Sequence, residues 1–277
     1  MTGSLRRNRH SRNDLLTVVA VSVIAFSLSS IIHEGLGHGG ACLAVGCRPQ
    51  LLTSMNFDGD ESSLSEAAIR FIAAGGTLAN LLVAFLALAS TYFIRRASPI
   101  TRYSIWLLAS INLMQGTGYF LFSGVANFGD WARVIQGLRP WWLWRLVLIV
   151  AGGISYWFSV TVALSYLSDF LGEDKTERIK RAQFLMLCPY VVGAVLSLLE
   201  GFFNPQGFSL TLVSAVPATL GGTSGLAWGS QLLWGQATKP IRGSILVITR
   251  SWIWIVSGLV VGTIFLVVFG TGLTLSH

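Results

Sequence analysis

Charge-free apolar runs recur along the chain at residues 15–32, 71–94, 103–129, 146–168 and 182–199, within 201–238, and at 251–276. Each reaches about 18 residues or more, enough helix to cross roughly 30 Å of hydrocarbon. The runs are continuously apolar rather than alternating, which argues against a transmembrane β-barrel. The pattern predicts an all-α polytopic transmembrane helix bundle of six to seven spans, with a short irregular loop after the first. The ambiguity sits in 201–238, which is rich in Gly, Pro and Ser and reads either as a span with a flanking loop or as a re-entrant segment. The predicted organisation is a basic arm over 1–13, a core over 14–135 and accessory helices over 136–277. The core holds spans at about 14–45, 66–94 and 103–127; the accessory helices fall at about 143–168, 182–200, 210–234 and 245–275. The first run leads straight into His33 and Glu34 rather than into a small-residue cleavage site, so a retained anchor is expected, not a signal peptide.

Composition agrees with this pattern. Hydrophobic residues make up 53% of the chain and charged residues 11%, with a mean hydropathy of +0.65; a soluble domain would need about twice that charged fraction. The longest polar connection, over 46–65, is too short for a soluble domain. The net charge of +7 is no nucleic-acid footprint, because the cations cluster beside the spans. Arg6, Arg7, Arg9 and Arg12 precede the first; Arg95, Arg96 and Arg102 lie between the second and third. Lys175, Arg178, Lys180 and Arg181 precede the fifth, and Lys239, Arg242 and Arg250 the last. With seven spans all four clusters share one face, and the positive-inside rule makes that face cytoplasmic, the N-terminus included, in what is expected to be the cell membrane. Trp141, Trp142 and Trp144 beside Arg139 and Arg145 read as an interfacial belt. Cys42 and Cys47 are expected to be small packing residues, with a disulfide as the alternative.

Chemistry concentrates in His33-Glu34-Gly35-Leu36-Gly37-His38. Two imidazoles flanking a carboxylate at a membrane helix end are costly without a task. Neutral imidazole is the commonest zinc ligand, and an adjacent Glu can deprotonate metal-bound water. In a regular helix His33 and His38 would lie about 140° apart, so the spacing serves one metal only if the helix bulges or unwinds. Gly35, Gly37, Gly39 and Gly40 make that departure cheap. A catalytic zinc wants a third protein ligand, and Asp130, at the end of the third span, shares a membrane face with the end of the first. Asp58, Asp60 and Glu61 are rival ligands that read better as a solvated acidic loop. Ala73-Ala74-Gly75-Gly76, with Asn80 beyond, lies inside the second span, where small residues let helices approach closely.

Together these segments resemble the site-2 protease family of intramembrane zinc metalloproteases, over roughly His33 to Asp130. His33-Glu34 with His38 resembles the family's His-Glu-x-x-His, lengthened by one residue. Ala74-Gly75-Gly76 through Asn80 is similar to its Ala-Gly-Pro-x-x-Asn, with Gly76 in place of Pro. Asp130 resembles the Asp of its Leu-Asp-Gly, here flanked by Gly129 and Trp131. The resemblance implies zinc held by His33, His38 and Asp130, with Glu34 as general base and a membrane-protein substrate cleaved in or near a transmembrane segment. Asn127 and Asn80 are candidate oxyanion donors by position. Two other functions are compatible with the residues. One is a catalytically silent scaffold that keeps the metal site; the other is a small-solute or ion transporter relying on Asn112, Gln115 and Glu200.

Overall fold

A computed structural model describes residues 12–204, 216–235 and 245–275. Most of the basic arm, and Lys239 and Arg242, therefore lie outside the described residues. The described residues form a bundle of helices, six of them long and apolar enough to cross a membrane. The first comprises α1 (Leu15–Ile31), a π-helical turn (Ile32–Gly39) and α2 (Gly40–Ala44), which run on as one rod. Then come β1 (Arg48–Leu52), β2 (Phe57–Asp60), α3 (Glu66–Ser90), α4 (Pro99–Ala126) and the short α5 (Asp130–Val134). They are followed by α6 (Trp141–Tyr166), α7 (Lys175–Phe203), α8 (Val216–Gly222), α9 (Gly225–Trp228), α10 (Trp252–Ile264) and β3 (Leu273–Thr274). Side-chain caps fix several starts: Asp14, Ser65, Ser98 and Asp174 each accept a first-turn backbone N–H.

The number of crossings follows from the contacts at the two ends of the bundle. Asp14 N–H donates to Ile248 O at 2.8 Å, and Arg250 donates to the Asp14 carboxylate at 3.0 Å, so α1 and α10 start at one face. At the other face β3 pairs with β1, joining Leu51 to Thr274. The first and last rods therefore run in the same direction, and α7 ends at the β-sheet face, where Phe203 packs on Gly270. The chain reappears at the opposite face, where Leu246 N–H donates to Asp169 O. Between them α8, α9 and a 3-10 segment (Gly229–Gly235) descend through the bundle. Gly222 lies against Gly118, Gly225 against Val160 and Met114, and Gly229 against Met186. Within the described residues 216–235, the span expected at about 210–234 is a broken traverse. Gly221, Gly222, Gly225 and Gly229 disfavour one long helix, while neighbouring helices cover the interrupted backbone.

The core gathers around α4, whose Tyr103, Trp106, Leu107, Ile111 and Met114 are buried against α1, α6 and α7. Trp141, Trp142 and Trp144 stand exposed at the start of α6, with Arg145 over the Trp141 ring, as an interfacial belt requires. Two expectations need correction. Cys42 and Cys47 are joined in a disulfide, because the end of α2 turns back and brings their Cα atoms to 4.7 Å. The connection after the first span is an antiparallel hairpin rather than an irregular loop, and its pairing with β3 makes a three-stranded sheet.

Candidate metal centre

His33, Glu34 and His38 all lie on the π-helical turn and are buried. In a π-helix the hydrogen bonds close on the fifth residue, as Gly40 N–H to Gly35 O does here, so side chains five apart share a face. That is the departure the His33–His38 spacing demanded. The two imidazoles meet edge-on, with their Nε2 atoms 3.3 Å apart.

Asp130 arrives from α4. That helix ends at Asn127, held in the left-handed region at φ 53°, and Gly129 follows at φ 81°. These two residues turn the chain so that α5 opens on Asp130 with its carboxylate facing the histidines. Oδ2 lies 3.0 Å from His33 Nε2 and 3.5 Å from His38 Nε2. Trp131 Nε1 donates to Thr77 Oγ1 at 3.0 Å and anchors α5 on α3.

The third element is α3. His38 Nδ1 lies 2.8 Å from Ile72 O. A carbonyl only accepts, so Nδ1 carries the proton and Nε2 presents its lone pair to the centre. A Cβ on Gly37 would fall 2.5 Å from Gly76 Cα, and one on Gly76 2.5 Å from His33 Cε1 and Nε2. The Gly-Gly step in α3 thus does more than bring two helices close: it vacates the space His33 fills. A prolyl ring at 76 would occupy the same space, which accounts for Gly here.

Around this cluster lies a cavity of about 280 Å³ whose walls include Glu34, His38, Tyr119, Phe122, Asp130 and, from the hairpin turn, Asn56. Tyr119 stacks on His33 with ring centroids 4.9 Å apart. The Cys42–Cys47 disulfide secures the root of the hairpin, and Gly59 of β2 packs directly over it. Beside the cavity Arg133 pairs with Glu61, which places Glu61 in the wall rather than in open solvent. Asp58 accepts from Asn56, and Asp60 from Ser62.

His33, His38 and Asp130 form a group that could hold a metal ion, their donor atoms all within 4.8 Å of one another. Asn127 instead lines an adjoining cleft with Trp141 and Arg145. Asn80 is fully buried in α3, and among the described residues neither of its side-chain polar atoms has a hydrogen-bond partner. Neither Asn is in the cavity wall. Asn112 donates to Leu108 O within its own helix, Gln115 accepts from Ser29, and Glu200 is buried near the top of α7. Sequence reasoning missed Tyr119 and Arg133. A lone Tyr in an apolar span and an Arg after a turn carry no local sign of facing a site. No protein-family model, curated protein or solved structure matches this chain.

Proposed function

We propose that this protein is a zinc-dependent intramembrane endopeptidase that cleaves other membrane proteins in or near a transmembrane segment. The observation that carries the reading is the mutual spacing of three donors from two separate rods. Ligand atoms 2.0–2.1 Å from a tetrahedral zinc ion lie about 3.3 Å apart; here the three separations are 3.0, 3.3 and 3.5 Å. The Ile72 carbonyl favours the His38 tautomer that offers Nε2, and a divalent cation would satisfy two imidazole nitrogens and a carboxylate aimed at one point. Two His and one carboxylate also leave a fourth position open, as a catalytic zinc site requires.

Zinc bound there would supply Lewis acidity, polarising a scissile carbonyl and acidifying water. Glu34, in the wall of the same cavity, is placed to take a proton from the attacking water and return it to the leaving amine. The Ile72 carbonyl holds the His38 imidazole in orientation, and the stacked Tyr119 ring lies against His33. Tyr119, stacked on His33, supplies a phenolic donor at the cavity for developing oxyanion charge. A helical substrate must unwind before attack, since its carbonyls are otherwise bonded within the helix.

The orientation proposed is with the cytoplasm on the side of the basic clusters and the metal centre near the outer face of the cell membrane. The disulfide at the metal face supports this, because disulfides persist in oxidising compartments.

The test is metal content and cleavage measured together on purified protein. Wild type should hold about one zinc per chain, Glu34→Gln should retain it, and Asp130→Ala should lose it. Cleavage of a reconstituted transmembrane peptide should fall by roughly 10²–10⁴ in Glu34→Gln. Undiminished cleavage in that variant sinks the mechanism. Bound zinc with no cleavage by wild type would favour the silent scaffold.

A further inference from the structure

At the face opposite the metal centre, a second cavity of about 510 Å³ opens between the end of α3, the start of α4 and the end of α6. Its size falls within the range of small-ligand pockets, about 300–1,000 Å³. Two guanidinium groups, Arg95 and Arg102, line it, together with the hydroxyls of Thr91, Ser165 and Ser168 and the carboxylate of Asp169. Arg102 is paired with Asp169, yet a guanidinium has five donors and one carboxylate cannot use them all. Arg95 lies 4.7 Å over the Tyr92 ring and forms no ion pair among the described residues. The Thr91 and Ser165 hydroxyls donate to Leu88 O and Val162 O, so the cavity offers a surplus of cationic donors together with the Ser168 hydroxyl.

Its level identifies what meets it. The walls come from the ends of three spans, so the cavity sits where those helices leave the hydrocarbon. Tyr92, Phe93 and Tyr166 stand exposed around it, the residue type that lodges at headgroup depth. An anion at that depth is a lipid phosphate, and Arg matches phosphate oxygens in a bidentate fork. We propose that this cavity binds the phosphodiester headgroup of an anionic phospholipid, with Arg95 and Arg102 on the phosphate and the Ser168 hydroxyl on a remaining oxygen. Basic recesses between membrane helices are suited to such headgroups. This site is independent of the metal centre and of the reaction proposed there.

The test uses the full chain, delipidated in detergent and titrated with phosphatidylglycerol or phosphatidylcholine of the same acyl chains, read by native mass spectrometry. Two arginines less one carboxylate leave one net positive charge, which near a membrane surface supplies roughly a fivefold preference for the anionic lipid. That preference should vanish in Arg95→Gln/Arg102→Gln and strengthen in Asp169→Asn, with thermal unfolding confirming folded protein. Should the double variant fail to fold, Arg95→Gln alone carries the test, because it changes an exposed residue and breaks no ion pair. Equal retention of the two lipids, or an unchanged preference in a folded variant, overturns the proposal. Displacement of phosphatidylglycerol by millimolar inorganic phosphate also overturns it, assigning the cavity to a soluble phosphate compound.

Discussion

Both halves of the bundle use glycine to bring helices into backbone contact, but the contacts serve different ends. In the first half Gly37 lies against Gly76, and Gly76 in turn lies against the His33 ring. In the second, Gly152 of α6 packs on the Leu121 backbone and Gly258 of α10 on Ala20, where only apolar surfaces meet. The same small-residue packing therefore positions a candidate metal ligand in one region and merely closes a seam in the other. Close packing by itself does not mark a site. The mark is polar side chains from separate rods converging on one point.

The comparison can be broken most directly at its glycines. Gly76→Val should remove bound metal and lower stability by about 1–3 kcal/mol or more, because the added carbons meet the His33 ring. Gly152→Val should cost a similar amount of stability yet leave metal content unchanged. Thermal unfolding and metal analysis on the same samples check both, and metal loss in Gly152→Val would erase the distinction between the halves. Gly153→Ala, one position on, is the control: nothing lies within 4 Å of its added methyl, and the helix should gain up to about 1 kcal/mol.

A smaller effect is expected at the hairpin root. Replacing Cys42 and Cys47 with Ala should lower stability by about 2 kcal/mol, the chain entropy released by opening a short loop. The hairpin turn lines the cavity, so the proposed cleavage should fall more than the proposed metal loading, as measured by comparing the two in one preparation. Equal losses would mean that the disulfide supports the metal cluster itself.

The smallest effect belongs to Asp14, far from the site. Burial raises its carboxyl, but hydrogen bonds from Arg250 and Thr17 outweigh that and lower it below the ordinary value. A depressed folded-state pKa contributes stability that is present above the unfolded value and is lost as pH falls through the folded one. Asp14→Asn should therefore flatten the acid limb of the stability profile and cost below about 1 kcal/mol at neutral pH. Denaturation followed from neutral to acid pH checks it; an unchanged acid limb would show that this ion pair does not hold α1 to α10.

Much of this arrangement was legible along the chain. The long apolar runs became six rods, and the expectation that the helix must bulge between His33 and His38 is met by a π-helical turn. Asp130 stands where the ends of the first and third spans were expected to meet. The hairpin was not legible, since Arg48–Leu52 pairs with strands supplied by the following loop and by the far end of the chain. Nor was the cysteine pairing, because a short separation does not reveal whether the backbone turns back. Asn127 looked suited to the oxyanion by its position before Asp130, but the left-handed turn that aims the carboxylate inward leaves Asn127 in a neighbouring cleft.

What the sequence by itself determined is the class of protein and the residues worth asking about. Partition of apolar runs into lipid is local and nearly additive, so it can be read without a fold. Whether two imidazoles five residues apart and a carboxylate from another rod share one point was decided by tertiary structure alone. That outcome depends on space vacated by Gly76, on a carbonyl offered by Ile72 and on a turn at Gly129. None of these acts until separate helices have packed.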